Sequence, residues 1–361
     1  MELSRTVIET GPAPDAGAGA RWAADAALAA ARAARGDGVV LAAPAEIGAS
    51  GFGPGAYTCR LAGDHPAPWD GPVVVRVHPP GRGGQALARE LAWHRFCAAG
   101  GVAVPDVLGV EDGEAREVAT PDGPATLVMA RGPAQSLIER MGENFTHIPQ
   151  LIALMGEVQA RLHGLPTAGA PPDAGLGPLD DLAARVAAAP DGGDTLAAAL
   201  GWLTAHDRPG ARRVVCHGDF QPSAVRLAGD DLAGAVVVNW SAARLAEPEC
   251  DVALTQLMFW SAPYLAPGRA QRAMLKSVRD MLVDGYRSAY EAHAGLDETQ
   301  MRWWAAFHAL AWSVRLTAAG SGGGPGGSAA IPDPWDPVAL VEHPDGYRKD
   351  LARRLAELTG S

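Results

Sequence analysis

Apolar and polar positions follow two regimes along this chain, one mixed and one helical. Alanines with Arg and Asp between them predict a helix over 20–35, stopped by Gly36 and Gly38. A strand, glycine loop and strand follow in LAAPAEIGASGFGPGAYTCRL. Residues 73–77 (VVVRV) form a β-branched run bounded by proline, which reads as a buried strand. The segment 82–99 places Leu87, Leu91, His94 and Arg95 at helical spacing and stops at Gly100 and Gly101. VAVPDVLGV and ATLVMA predict two more strands. These elements describe a small β-rich region with a helix against it.

From about Gly132 the pattern turns helical, with helices predicted over 149–163, 178–188 and 195–206. Two short β-branched runs, RVVCH and AVVVNW, interrupt them, and longer helices follow over 249–260, 269–293 and 297–318. A glycine-rich segment, 320–328, reads as a loop or linker, and a last helix is expected over 346–358. The expected fold class is α+β and bilobal, with a small β-rich N-lobe and a larger, mostly helical C-lobe. The expected division is a helical extension over 1–40, the N-lobe over 41–130 and the C-lobe over 131–361.

Composition narrows the function classes. A net charge of −11 argues against nucleic-acid or anionic-membrane partners, which require a basic surface. No apolar run reaches the roughly 20 residues that span a bilayer, and MELSRTVIETGPAPD lacks a charged-then-apolar leader, so a cytoplasmic location is expected. Cys59, Cys97, Cys216 and Cys250 form no C-x-x-C pair and read as reduced thiols. The 44 glycines, 29 prolines and preference for Arg over Lys fit a high-GC bacterial genome.

The sharpest chemical feature is His217-Gly218-Asp219-Phe220-Gln221-Pro222, directly after the run ending at Cys216. A polar cluster past a short buried strand is where a scaffold exposes working groups. Another strand, VVV, ends in Asn239 and Trp240, and a hairpin of the two strands would bring Asp219 and Asn239 to one cleft. Gly48, Gly51, Gly53 and Gly55 either cover phosphates with backbone N–H groups or turn an ordinary hairpin. Trp260, Tyr264, Trp303, Trp304, Phe307, Trp312 and Trp335 read first as helix core and second as an aromatic acceptor cleft or partner surface. His147, His163, His293 and His308 show no metal-ligand spacing.

HGDFQPSAVRL followed by VVVNWSAARLAEPECDVA resembles the aminoglycoside phosphotransferase and choline kinase family, which has a protein-kinase-like fold. The resemblance covers roughly 44–262 and extends to VVVRV, RELAWHRFCAAGGVAVPDVLGV, TLVMARGP and LMGEVQARLHGLP. It implies Asp219 as the catalytic carboxylate, His217 as its loop support, and Arg76 on the α/β phosphates with Glu90 as ion-pair partner. It also implies Gly51, Gly53 and Met129 of the hinge as nucleotide contacts. ATP and Mg²⁺ are the implied cofactors, but Ala224 stands where the family has a metal-binding Asn, and Asn239 where it has a metal-binding Asp. Mg²⁺ takes anionic or carbonyl oxygens, so these changes remove one ligand and one charge; Gln221 or Ser223 is the available substitute.

Two readings of function stay open. One is a pseudokinase or repurposed kinase fold that acts on or binds a small molecule or peptide, or a partner protein, in a setting such as natural-product tailoring. The other is an active ATP-dependent phosphotransferase on a hydroxyl, with Asp219 as base. Asp219 itself is either that base or a loop-capping remnant of an active ancestor.

Overall fold

The computed structural model describes residues 16–47, 55–78, 83–109, 125–131, 135–172, 178–189, 193–206, 212–227, 234–265, 268–320 and 344–360. They divide between two compact units, one formed by 12–147 with 221–243 and the other by 148–220 with 244–361.

The first unit is built on a five-stranded antiparallel sheet of order β1-β2-β3-β5-β4. Its elements are α1 (Ala16–Arg35), β1 (Glu46–Ile47), β2 (Ala56–Cys59), β3 (Val73–His78), α2 (Gly83–Ala99), β4 (Val107–Gly109) and β5 (Ala125–Ala130). Strand β3 is buried along its whole length, which fits its four valines and leaves Arg76 and His78 buried with them. Its side chains alternate between two cores. Val73, Val75 and Val77 pack with Ala23, Ala27 and Ala31 of α1. Val74 packs with Leu91 of α2, Leu127 and Met129 on the opposite face. Alanines let α1 approach closely: a Cβ on Gly109 would lie 2.6 Å from the Ala30 methyl. Only Val107–Gly109 of VAVPDVLGV pairs as strand, because Pro105 has no N–H to give a ladder.

The same unit carries β6 (Gln135–Ser136) and α3 (Leu137–Glu143), joined by a capping box between Ser136 and Glu139. Strand β6 pairs with β8 (Val225–Leu227), and β8 with β9 (Val236–Val237).

The second unit is mostly helical. It comprises α4 (Ile148–His163), α5 (Pro178–Ala188), α6 (Gly193–Ala205), β7 (Val214–Cys216), β10 (Arg244–Ala246), α7 (Pro248–Leu265), α8 (Arg269–Glu291), α9 (Glu298–Gly320) and α10 (Pro344–Thr359). Helix α7 packs against α8 and α9, α8 against α4, and α10 against α9. The α4–α8 approach depends on Gly156, where a Cβ would lie 2.5 Å from the Tyr290 backbone nitrogen. Helix α9 starts on Asp297, whose carboxylate accepts the Thr299 and Gln300 N–H groups. Trp260, Trp303, Trp304 and Trp312 are buried, so these aromatics are helix core; Trp335 lies outside the described residues.

The hairpin between RVVCH and AVVVNW does not form. Strand β7 pairs with β10, with Cys216 opposite Arg244, while β9 pairs with β8. Nearness in sequence misled here because each short strand found its partner in a different sheet. None of the described helices is long and apolar enough to cross a membrane.

Candidate functional site

In the helical unit, strand β7 leads directly into His217-Gly218-Asp219. This loop is held from below by Asp251 of α7. One carboxylate oxygen accepts the His217 N–H at 2.7 Å and the other accepts the Gly218 N–H at 2.8 Å. His163 of α4 lies 3.3 Å from Asp251 through Nε2, and its Nδ1 is 2.7 Å from the Tyr290 hydroxyl. Burial opposes the charge on Asp251, but the His163 hydrogen bond and the fields of His163 and His217 hold its carboxyl far below the ordinary carboxylate range. The Thr255 hydroxyl donates to the Phe220 carbonyl at 2.6 Å and fixes the loop's exit. Gly218 takes φ +77°, a conformation that favours glycine.

Asp219 is 2% exposed, and its N–H donates to His217 Nδ1 at 3.2 Å. His217 is fully buried and stacks edge-on against Phe220, so its ring is part of the loop's support. Asp251 and His163 carry this arrangement, and sequence reading assigned neither a site role. Their signal was the LHGLP and ECDVA context in which they sit.

His163, Cys216 and Asp251 come together from three elements, with ligand atoms within 4.8 Å of one another. Spacing along the chain hides this cluster. It does not suit a metal, because Asp251 is committed to two backbone N–H groups and His163 to two partners. The Cys216 thiol points at the Ala246 and Glu247 carbonyls, and burial with the nearby Asp251 charge pushes its pKa well up. All four cysteines are free and buried.

In the sheet unit, β3 turns Arg76 and His78 to the same face, opposite Glu90 of α2. Arg76 Nε lies 3.4 Å from Glu90 Oε1 and Nη2 lies 3.5 Å from Oε2. His78 Nε2 is closer, 3.0 Å from Oε2. Burial would raise the Glu90 pKa, but Arg76 first and His78 next bring it down to about 2. Arg76 Nη1 is buried and has no hydrogen-bond partner among the described residues. Met129 on β5 is buried within the core beneath this face. Gly51 and Gly53 lie outside the described residues. Gly55 does not: at φ +71° it receives the Val77 N–H on its carbonyl, and a Cβ there would lie 2.6 Å from the Val77 carbonyl oxygen.

The two altered positions lie in this same unit. Ala224 is 1% exposed, with its N–H on the Gln221 carbonyl and its own carbonyl accepting from Val238. Asn239 adopts a left-handed backbone, φ 71° and ψ 67°, the one non-glycine residue with positive φ among those described. Asn and Asp enter this region more readily than other side chains, at a cost of about 1–3 kcal/mol. The Asn239 Oδ1 accepts the Ser241 hydroxyl at 3.0 Å. Arg89 of α2 donates to the Ser241 carbonyl, which ties the loop to the helix that carries Glu90.

Ala224 and Asn239 offer a divalent cation no carboxylate. Ala224 presents a methyl group, with both its backbone groups already bonded. Asn239 offers one neutral oxygen, which also accepts the Ser241 hydroxyl. The bond that Gln221 makes to Ala224 uses its backbone carbonyl and not its side-chain amide.

A β-rich unit with a buried Arg–Glu pair and a helical unit with an anchored His-Gly-Asp loop define a kinase-like phosphotransferase fold. The phosphotransferase enzyme family model matches residues 64–304, and the chain belongs to that family. A candidate aminoglycoside phosphotransferase from Ralstonia eutropha is 18% identical, with 93% of this chain and 98% of that one covered at TM-score 0.59. An aminoglycoside phosphotransferase from Streptomyces rimosus is 19% identical, with 79% and 97% covered at 0.52. An amicoumacin kinase in complex with AMP-PNP, Ca²⁺ and Ami is 11% identical, with 87% and 88% covered at 0.55. At these identities the similarity is one of fold. No curated protein matches the sequence.

Proposed function

We propose that this chain is a repurposed kinase fold. It would bind an anionic phosphate ligand through the sheet unit and act on or bind a small molecule or peptide without a kinase metal centre. The observation that carries the reading is the chemistry at Ala224 and Asn239. A buried methyl with both backbone groups bonded sits at one position, and an amide oxygen accepting from Ser241 at the other. Phosphoryl transfer depends on metal to neutralise charge as the bond breaks, so losing one ligand and one negative charge removes much of that stabilisation. Support for phosphate binding comes from Arg76, whose buried Nη1 lacks a partner among the described residues. A buried unpaired donor on a cation is costly, and a phosphate oxygen would satisfy it. The related amicoumacin kinase, captured with AMP-PNP, makes a nucleotide the first ligand to try. A cytoplasmic role in natural-product metabolism belongs to the same reading.

The test is calorimetric titration with ATP in Mg²⁺ and again in EDTA. Binding that is indifferent to this exchange, without ADP formation, is expected. Metal-dependent micromolar binding with turnover would overturn the proposal.

A second reading, an active phosphotransferase, is favoured by the intact anchoring of Asp219. In it the Asp219 carboxylate takes the proton of an acceptor hydroxyl. Any ATP consumption found in a screen of aminoglycosides, macrolides, sugars, amino alcohols and Ser/Thr peptides should then disappear in Asp219→Asn. Unchanged turnover in that variant sinks the mechanism.

A further inference from the structure

We infer that His78 is a positioning residue that sets the phosphate-binding edge of Arg76 by taking the short hydrogen bond to Glu90. This rests on the reading of Arg76 as the phosphate contact. Three groups share one buried carboxylate: His78 at 3.0 Å, and Arg76 through Nε at 3.4 Å and Nη2 at 3.5 Å. Arg76, His78 and Glu90 are 4%, 8% and 2% exposed, so water does little to replace any of these bonds. Glu90 Oε2 is the shared atom, facing both His78 and Arg76 Nη2.

The order of distances has a consequence. Glu90 is held at its shortest contact by a ring two residues further along the strand, and the guanidinium reaches the carboxylate by one edge at longer range. Nη1, on the other edge, has no partner among the described residues. Without His78, the carboxylate is free to rotate and close a tighter two-pronged pair with the guanidinium, the geometry that Arg and carboxylate favour. That pairing would draw Arg76 inward and withdraw Nη1 from a ligand. His78 therefore keeps the cation anchored but incompletely satisfied. The arrangement needs a proton on His78 Nε2, since the carboxylate can only accept.

The experiment measures inorganic pyrophosphate and AMP-PNP binding by calorimetry, without metal, in the full chain. His78→Leu should weaken both by about tenfold, the size of one charge-assisted hydrogen bond. His78→Gln, which keeps a donor, should recover most of the loss, and thermal unfolding identifies variants that fail to fold. If folded His78→Leu binds as the wild type does, or His78→Gln gives no recovery, the positioning role is wrong. Arg76→Ala separates the two layers: wild-type affinity in that variant overturns the phosphate reading itself, whatever His78 does. NMR of the ¹⁵N-histidine-labelled wild-type protein adds a readout that needs no substitution. It should show a protonated, slowly exchanging Nε2 on His78; a bare Nε2 would overturn the inference.

Discussion

The loop at Asp219 and the loop at Asn239 have been treated differently by the sequence that encodes them. In the helical unit the two backbone donors directly before Asp219 both go to one side chain, the Asp251 carboxylate. In the sheet unit the Asn239 loop keeps its left-handed turn and its tether to α2, but its oxygen is turned to a neighbouring hydroxyl. One loop retains its support and its carboxylate. The other pairs a left-handed turn with a neutral amide. Hydrogen bonds that hold either loop are part of folding, whereas a metal ligand contributes only when metal is bound.

The largest effect that would sharpen this contrast is at the anchor. Asp251→Ala strands two buried N–H groups and removes the partner of His163, so a loss of about 3–5 kcal/mol is expected in denaturant unfolding. An equally stable variant would show that the loop does not depend on its anchor.

Acid titration comes next. His308 of α9 is buried against the Cys250 carbonyl at 2.8 Å, and burial brings its pKa from 6.5 down to about 4. The folded value is below the unfolded one, so the unfolded chain takes up the proton first as pH falls. Stability present above pH 6.5 is then lost between about 6.5 and 4, on the order of 3 kcal/mol in total. His94 of α2, also lowered by burial, adds a limb of the same sign in the sheet unit. Glu90 acts later: its stabilisation is present above 4.5 and lost as pH falls through about 2. Thermal melts across pH 7 to 4 should flatten in His308→Gln, and an unchanged slope would refute the assignment.

The smaller effects lie at the altered loop. Ser241→Ala removes the hydroxyl from Asn239 and should cost about 1 kcal/mol in unfolding. Asn239→Asp keeps a side chain suited to the left-handed turn, so stability should move by less than about 1 kcal/mol. Its informative readout is nucleotide affinity, which should become Mg²⁺-responsive only modestly, because Ala224 still offers no ligand. Full metal dependence from this one change would show that Ala224 is not limiting.

Much of the fold was legible in local pattern. The run VVVRV announced β3, and the stops at Gly36 and Gly100 bracketed α1 and α2, because β-branched stretches and glycines act through the backbone of their own segment. Strand partnership was not legible: β7 chose β10 and β9 chose β8, and three-residue strands carry too little pattern to specify a partner. The family motif drew attention to Asp219, Arg76 and Glu90, while His78 and the His163–Asp251 support could not be read from spacing, since their partners lie on other elements.

By itself the sequence determined that a methyl stands at 224 and an amide at 239, covalent facts that no fold can change. Only the tertiary structure decided what the remaining groups do. It closed both backbone groups of Ala224, turned Asn239 toward Ser241, and placed one glutamate between an arginine and a histidine with an N–H left over. The physical reason is that hydrogen-bond competition is settled by distance among groups remote in sequence, and distance exists only once the chain has folded.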